Sequence, residues 1–494
     1  MFVKMGWLVG LACLLTASST AAEPATRPPN IVFLLADDLG WTGLGCFGSD
    51  LYETPHLDRL AADGMRFTNA YAACTVCSPT RASIMTGNYP ARLHLTDFIA
   101  GQNRPFARMR IPDWQKGLQA NHVTMAEALS GAGYRTALIG KWHLDGPDVA
   151  PQGRGPTAHG FDFVATKPPR TSGYLIPPSA LKPASSGKKE TSKTDAEQAD
   201  AEPRYLTDFL TDRSLEFIEQ AKDDPFFLYF AYHVPHTPIQ GRADLVAKFQ
   251  QRVRDDAVHQ NPIYAAMVAS LDQSVGRILD RLQQLGLADN TLVVFTSDNG
   301  GLTQRYGVHD GFTDNAPLRR GKGSAYEGGV RVPTIVYWPG NTPAGSQCDT
   351  PIITNDYYPT LLQVAGVPVP AAGAVDSTID GRSLVGLWKD PRQTIERDLF
   401  WHHPHYHAGG DGPYSAIRSG RWRLIEFHED DRVELYDLSD DIGESHDLSQ
   451  QQPEQVQKLR ARLHAWRAEV GAQMPTVNPN FDAQRATEVR RPGR

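Results

Sequence analysis

Two pairs of oxygen-bearing side chains end apolar runs at distant points of the chain. Asp37 and Asp38 end one run, and Asp298 and Asn299 end another. Carboxylate and amide oxygens are hard ligands that suit calcium or magnesium. Taken alone, the first pair fits a helix cap and the second fits a turn. Two such pairs at the ends of two buried strands favour a metal site instead, with all four residues as ligands.

Cys77 stands in the segment Cys77-Ser78-Pro79-Thr80-Arg81. An isolated cysteine is more often an inert buried residue than a functional group. If Cys77 joined the metal site, its soft sulfur would not suit the cation that the carboxylates prefer. Oxidation of the cysteine to an aldehyde would remove this conflict, because the hydrate of an aldehyde offers two hydroxyl oxygens.

Basic side chains complete the set of candidate groups. Lys141 and His143 lie two residues apart, so on an extended segment both face the same way. His236 follows a further apolar run, and Lys322 follows two arginines. We interpret His233 as a structural neighbour of His236. These cations are suited to an anionic substrate.

The segment that begins at Cys77 resembles the signature of the type I sulfatases, Cys-x-Pro-Ser-Arg followed by Leu-Thr-Gly. Cys77, Pro79 and Arg81 match it, whereas Thr80 replaces the commoner serine and Asn88 stands where arginine is frequent. In that family a maturation system converts the cysteine to formylglycine. The resemblance therefore implies formylglycine (3-oxoalanine) at Cys77 as a further metal ligand, one calcium ion in preference to magnesium, and an exported bacterial carbohydrate sulfatase.

The resemblance also implies a catalytic role for each basic group. Arg81 holds the formylglycine hydrate, and Lys141 neutralises the sulfate oxygens. One hydroxyl of the hydrate attacks sulfur, and His236 binds the ester oxygen or protonates the departing alcohol. Lys322 contacts both the sulfate and the leaving group. His143 then acts as the base for sulfate release, which restores the aldehyde.

Four histidines crowd the segment before Gly409. The spacing of His402, His403, His405 and His407 matches no ordered zinc motif, although zinc binding stays open. We interpret the segment as a substrate-facing loop, and we expect His402, His403 and His405 to contact the substrate.

The composition narrows the class of protein. The chain has 494 residues, a formal net charge of −7 and no basic run outside one low-complexity stretch, which argues against nucleic acid as a partner. Residues 1–22 combine a lysine, a short apolar core and small residues, and so predict a signal peptide and export to the periplasm or the medium. No later apolar run is long enough to span a membrane. With Cys77 modified, the remaining cysteines of the mature chain allow at most one disulfide.

Four apolar runs each deliver polar residues at their C-terminal ends, at residues 30–36, 136–139, 226–234 and 292–296. Open α/β sheets place their sites at that edge. Helical periodicity is present between these runs, at residues 123–133, 206–221 and 264–285. Together with the resemblance, this pattern predicts an α/β fold with a large mixed, mostly parallel sheet sandwiched by helices, as in alkaline phosphatases and sulfatases.

The domain boundaries follow from changes in composition. We expect a catalytic domain at residues 28–390, interrupted by a mobile polar insert at residues 177–203. Short strands and an amphipathic helix predict a smaller C-terminal α+β domain, an antiparallel sheet plus a helix, at residues 396–475. We expect the tail at residues 476–494 to be poorly ordered.

The resulting hypothesis is a sulfuric ester hydrolase that cleaves O-sulfate monoesters of carbohydrates. Two alternatives stay open. The same fold serves phosphate and phosphonate monoester hydrolases, although two-zinc phosphatases commonly carry Asp-His where this chain has Asp298 and Asn299. Without maturation of Cys77, the protein would bind sulfated glycans without cleaving them. No motif indicates which sugar, which sulfate position, or endo or exo action.

Overall fold

The computed structural model describes residues 1, 27–169, 171, 173–180, 202–303, 311–369 and 378–490. The predicted signal peptide and most of the predicted mobile insert lie outside these residues, so both stay predictions. Within the described ranges, no helix combines the length and the apolar character that a membrane crossing requires.

The strands have the following bounds: β1 Asn30–Ala36, β2 Met65–Phe67, β3 Ala70–Tyr71, β4 Met109–Arg110, β5 Arg135–Gly140, β6 Phe163–Ala165, β7 Leu175–Ile176, β8 Arg204–Tyr205, β9 Phe226–Ala231, β10 Thr291–Ser297, β11 Thr334–Tyr337, β12 Ser346–Cys348, β13 Ile352–Ile353, β14 Asp398–His403, β15 Tyr414–Ser419, β16 Trp422–Phe427, β17 Val433–Asp437 and β18 Thr476–Val477. The α-helices have these bounds: α1 Pro55–Asp63, α2 Cys77–Thr86, α3 Pro90–Leu93, α4 Met125–Gly131, α5 Leu206–Ala221, α6 Ala243–Gln250, α7 Pro262–Gln284, α8 Glu327–Val330, α9 Tyr357–Val364, α10 Val385–Lys389 and α11 Pro453–Glu469. Short 3-10 helices lie at Gly45–Phe47, Pro151–Gly153, Pro156–His159, Pro178–Ala180, Ala288–Asn290 and Thr354–Asp356.

The central sheet has eight strands in the order β12-β2-β11-β10-β1-β9-β5-β6. Strand β1 lies in the middle, parallel to β10 and β9, and β5 continues the parallel part, whereas β11 is antiparallel. In this register Ala36 pairs with Ser297, and Leu35 pairs with Ala231. The C-terminal ends of these strands therefore meet at one edge of the sheet. The predicted mixed, mostly parallel sheet is confirmed.

Alternate residues of β1 face opposite layers of helices, as the pleat of a strand requires. Val32 packs into a core that includes Phe217 of α5 and Leu271 of α7. Phe33 packs into the core of the other face, which includes Ile84 of α2. All seven residues of β1 are buried. The sheet is thus the middle of three layers, which explains why its strands are continuously apolar.

The C-terminal region forms a four-stranded antiparallel sheet in the order β14-β15-β16-β17, with α11 against β15 and β16. Phe400 of β14 stacks on Trp466 of α11 with ring centroids 4.7 Å apart. Tyr71 and Val330, which precede this region in the chain, belong to the same apolar core as Trp401. The predicted sheet plus helix is present, while the boundary between two domains stays a prediction.

The expectation of a poorly ordered tail is wrong for residues 476–490. Strand β18 pairs with β4 across the chain, and the Asn478 side chain donates to the carbonyl of Ala107 at 2.7 Å. The Arg485 guanidinium lies 3.5 Å from the ring centroid of Phe106. The stability of this segment comes from backbone pairing and side-chain amide bonds, which a polar composition does not reveal.

Candidate active site

Two acidic and amide pairs meet at the C-terminal edge of the central sheet. Asp37 and Asp38 follow β1, and Asp298 and Asn299 follow the neighbouring β10. All four side chains are buried, and the backbone N–H of Asp38 donates to Asp298 Oδ1 at 3.2 Å. Asp38 has a φ of 67°, a left-handed conformation that is sparsely populated outside glycine and typical of functional sites. The parallel register therefore brings together side chains that lie some 260 positions apart in the chain.

Helix α2 brings Cys77 to the same edge. The helix begins at Cys77, and all ten of its residues are buried. No face of the helix is therefore exposed to solvent. The sulfur of Cys77 and carboxylate oxygens of Asp37 and Asp298 all lie within 4.8 Å of one another. One turn into the helix, Arg81 donates from Nε and Nη2 to Asp298 Oδ2, at 2.9 and 2.7 Å. Arg81 therefore fixes this carboxylate directly.

Lys141 and His143 follow β5, where Gly140 adopts a φ of 98° that a residue with a side chain would rarely accept. Lys141 Nζ lies 2.7 Å from Asp37 Oδ2. Ring nitrogen Nε2 of His143 donates to the carbonyl of Ile99 at 2.7 Å, and Nδ1 lies 3.4 Å from the sulfur of Cys77. Burial, and then the charge of Lys141, hold the pKa of His143 well below its ordinary value. His143 is therefore neutral, with the lone pair of Nδ1 facing residue 77.

Lys322 and His236 both lie close to the carboxylate of Asp38. Lys322 Nζ lies 2.7 and 2.8 Å from the two carboxylate oxygens of Asp38. His236 Nε2 lies 3.7 Å from Asp38 Oδ2, and its Nδ1 donates to the carbonyl of Thr237 at 2.6 Å. The Tyr174 hydroxyl donates to the carbonyl of His236 at 2.7 Å. His236 is 30% exposed, so a substrate can reach it.

The oxygen ligands of this cluster fit a hard divalent cation. Asp37 Oδ1 and Asn299 Oδ1 are buried and have no hydrogen-bond partner within the described chain. The amide nitrogen of Asn299 donates to Asp38 Oδ1 at 2.8 Å, which fixes the orientation of its free oxygen. Burial, and then the charge of Asp37, raise the pKa of Asp298 to about 7. A cation among these oxygens would satisfy both orphan atoms and offset the repulsion between the carboxylates.

A cavity of about 390 Å³ opens beside Cys77. Its volume lies in the usual range for sites that bind small molecules. All the predicted catalytic groups except Arg81 line it. The lining residues are Asp37, Asp38, Cys77, Phe98, Ile99, Lys141, His143, Lys167, Gly173, Tyr174, Leu206, His233, His236, Thr237, Pro238, Leu302, Lys322 and His407.

The sequence interpretation gave no functional role to two basic residues that line this cavity, His233 and Lys167. His233 was interpreted as structural, yet it lines the cavity together with His236. Its signal was available, because it follows the buried strand β9 at the edge where the other groups lie. Lys167 carries no comparable signal, since it lies outside the strands and helices, and only the tertiary fold brings it to the cavity. His407 belongs to the histidine segment that is predicted to face the substrate, and it lines the cavity.

The structure does not bring His402, His403 and His405 to the cavity beside Cys77, where the prediction of substrate contact would place them. His402 and His403 end β14 and are buried, and His402 Nδ1 lies 2.8 Å from the hydroxyl of Ser415 on β15. His405 is also buried and lies 2.8 Å from the hydroxyl of Thr96. None of the three lines the cavity, whereas His407 does. Pairing of β14 with β15 buries His402 and His403, and His405, which follows β14, is buried against Thr96.

Comparison with known proteins gives a consistent result. A model of the sulfatase family matches residues 29–367, and a model of the C-terminal region of N-sulphoglucosamine sulphohydrolase matches residues 321–470. A sulfatase of Formosa agariphila is 33% identical, covering 92% of this chain and 91% of the relative. Arylsulfatase A of Homo sapiens is 32% identical, covering 90% of each. The crystal structure of Ps i-CgsB in complex with k-i-k-neocarrahexaose has a TM-score of 0.70 at 27% identity, covering 93% of this chain and 96% of that chain.

Proposed function

Since this chain belongs to the sulfatase family, we propose that it hydrolyses sulfate monoesters with a formylglycine made from Cys77 and a bound calcium ion. The observation that carries the proposal is the meeting of three buried carboxylates and one amide at one edge of the sheet, with oxygens of Asp37 and Asp298 within 4.8 Å of the Cys77 sulfur. Two of the oxygens, Asp37 Oδ1 and Asn299 Oδ1, accept no hydrogen bond within the described chain. Carboxylate and amide oxygens suit calcium, whereas a thiolate does not. Conversion of Cys77 to formylglycine would replace the sulfur by oxygen, so every ligand of the ion would be an oxygen atom.

Calcium would be held by Asp37, Asp38, Asp298 and Asn299, and when bound it would supply a Lewis acid that activates a coordinated hydroxyl. Formylglycine would supply that hydroxyl, because its hydrate carries two on one carbon. Arg81 supports the site by fixing the Asp298 carboxylate. These residues would hold the ion and the hydrate in position at the reacting centre.

The remaining residues act on the substrate and on its protons. The ammonium groups of Lys141 and Lys322 face the cavity and would neutralise the sulfate oxygens. His143 presents the lone pair of Nδ1 to residue 77, where it would accept the proton of the hydrate hydroxyl as sulfate is released. His236 presents Nε2 to the cavity, and in its imidazolium form, with the Nδ1 proton donated to the carbonyl of Thr237, it would give the Nε2 proton to the departing alcohol and return to the neutral ring. The poor leaving ability of a sugar alkoxide makes this proton transfer important.

We also propose that the ester is a sulfated carbohydrate. The C-terminal family model is named for N-sulphoglucosamine sulphohydrolase, and a structural relative binds a neocarrahexaose. The cavity, of about 390 Å³, is large enough to hold more than a sulfate group, and lysine and histidine side chains line part of it. Such substrates lie outside the cell, which fits the export that the N-terminal segment predicts. The mechanism also requires a formylglycine-generating system as a partner.

The test starts from protein purified with a formylglycine-generating enzyme coexpressed. The peptide that ends at Arg81 should carry the mass of formylglycine instead of cysteine. Sulfate release from 4-nitrophenyl sulfate and from a panel of sulfated saccharides should exceed phosphate release from 4-nitrophenyl phosphate, and Cys77→Ala should abolish it. A preference for the phosphate ester, or full activity with an unmodified thiol, would contradict the proposal.

A further inference from the structure

The cavity beside Cys77 contains one more cation than the reaction uses. Lys141 and Lys322 line it, and each ammonium lies 2.7 Å from a carboxylate oxygen of the cluster. Lys167 lines the same cavity, and within the described chain no residue offers it a hydrogen bond or an ion pair. Its charge is therefore available to a ligand.

The ammonium of Lys167 is partly buried and has no counter-ion among the described residues. Lys167 lies two residues after β6, in an irregular segment, and its side chain is half-buried. Burial lowers the pKa of Lys167 from its ordinary value. A partly desolvated ammonium is costly unless an opposite charge or a hydrogen-bond acceptor meets it. An ammonium offers three donors and accepts none, so the complementary ligand is an anion.

His233 lines the same cavity as Lys167. Within the described residues its buried Nδ1 has no hydrogen-bond partner. Burial lowers the pKa of His233 to about 3, with further contributions from Lys141 and, more weakly, from Lys167, so His233 is neutral at working pH. The Tyr174 hydroxyl donates to the carbonyls of His233 and His236, which fixes the segment between them. The cavity thus offers two further polar groups, the ammonium of Lys167 and Nδ1 of His233, that have no hydrogen-bond partner among the described residues.

We propose that Lys167, assisted by His233, binds a second anionic group of the substrate while the sulfate ester lies beside Cys77. This inference rests on the proposed sulfatase function and narrows its substrate class. The preferred substrate is a saccharide that carries the scissile sulfate together with another negative group, a carboxylate or a second sulfate. The same sugar without that second charge binds more weakly.

The test uses non-hydrolysable anions, so that it does not depend on turnover. Isothermal titration compares benzenesulfonate with meta- and para-benzenedisulfonate and with meta-sulfobenzoate, in calcium-containing buffer. The matured wild type should bind the doubly charged ligands about ten- to hundredfold more tightly than benzenesulfonate, as a charged hydrogen bond predicts. Lys167→Met should lose this gain. Lys458→Met, a control for an exposed lysine of α11 outside the cavity, should keep it.

The outcomes separate this inference from the function on which it rests. If Lys167→Met loses the gain in affinity for the disulfonates alone, the subsite is supported and the second group is a sulfate. If it loses the gain for the sulfobenzoate alone, the subsite is supported and the second group is a carboxylate. A full gain in Lys167→Met, or no gain in the wild type, overturns the inference. Sulfate release from 4-nitrophenyl sulfate is measured in parallel. Its absence alongside an intact binding gain would contradict the sulfatase function and leave the anion subsite standing.

Discussion

Replacement of Arg423 by methionine should destabilise the protein markedly, because Arg423 is the centre of a buried charge cluster that joins the C-terminal sheet to helix α8. Arg423 is fully buried on β16, and its Nη1 lies 3.0 Å from Glu327 Oε1. Its Nε lies 3.2 Å from Glu444 Oε1, and its Nη2 donates to the carbonyl of Ala325 at 2.6 Å. The guanidinium also lies 4.7 Å from the ring centroid of Trp401.

The magnitude follows from what Arg423→Met leaves behind. Burial opposes ionisation of Glu327, but Arg423 and Arg331 hold its pKa below the ordinary value, so Glu327 is charged and would lose its principal counter-ion. Removal of one partner from a buried pair costs about 3–5 kcal/mol. Methionine occupies the place of the aliphatic stem, so the lost charge dominates this cost. With an unfolding entropy of about 2.1 cal/mol/K per residue over the 494-residue chain, a loss of about 4 kcal/mol lowers Tm by about 4 °C.

Differential scanning calorimetry measures this shift against a matched control. Arg432→Met removes a half-exposed arginine of the turn between β16 and β17, and surface ion pairs contribute about 0–1 kcal/mol. The double variant Arg423→Met with Glu327→Gln should recover part of the loss, because it removes the charge left without a partner. If Arg423→Met lowered Tm no more than Arg432→Met does, the cluster would not stabilise the contact between the C-terminal sheet and α8, and the reasoning would be refuted.

Three further predictions concern the site and the C-terminal region. His143→Gln should lower kcat for 4-nitrophenyl sulfate about 10²–10⁴-fold with little change in KM, the effect of a lost proton acceptor; an equal rise in KM would assign His143 to binding instead. Chelation should lower Tm and abolish activity, and calcium at 100 times its Kd should restore about 2.7 kcal/mol of stability in the wild type but not in Asp38→Asn; an unchanged Tm after chelation would argue against a bound cation. His464 and two arginines hold the pKa of Glu426 at about 2 against the opposing effect of burial, so the stability it contributes is present above pH 4.5 and is lost as the pH falls toward 2. Urea unfolding of Glu426→Gln should therefore show a deficit of about 1–2 kcal/mol at pH 7, discounted for its half-exposed partners, that disappears near pH 2; a deficit independent of pH would contradict this assignment.

Local sequence predicted the elements that deliver the site. The helix predicted at residues 206–221 has those bounds in the structure, and Asn261 caps α7 by accepting from two backbone N–H groups at 3.1 Å. The four apolar runs became neighbouring parallel strands, so their polar ends could be expected to meet. These features depend on periodicity, capping and strand ends, all of which are encoded within a few residues of one another.

The parts that could not be predicted depend on contacts between distant segments. His402 and His403 resemble a polar loop in sequence, and only the pairing of β14 with β15 shows that they are buried. Lys167 reaches the cavity through the path of an irregular segment, which no local pattern encodes. The pairing of β18 with β4 joins residues more than 360 positions apart, and its strands are only two residues long.

The burial of Cys77 restricts when it can be modified. Only 2% of its surface is exposed, and no residue of α2 has a free face. An oxidising enzyme could not fit its own active site around this side chain in the finished protein. The proposed conversion of Cys77 to formylglycine would therefore have to happen while the chain is still being made or transported, before α2 is packed into the fold. Cells that fold this protein faster than they can oxidise it would accumulate a well-formed but inert product.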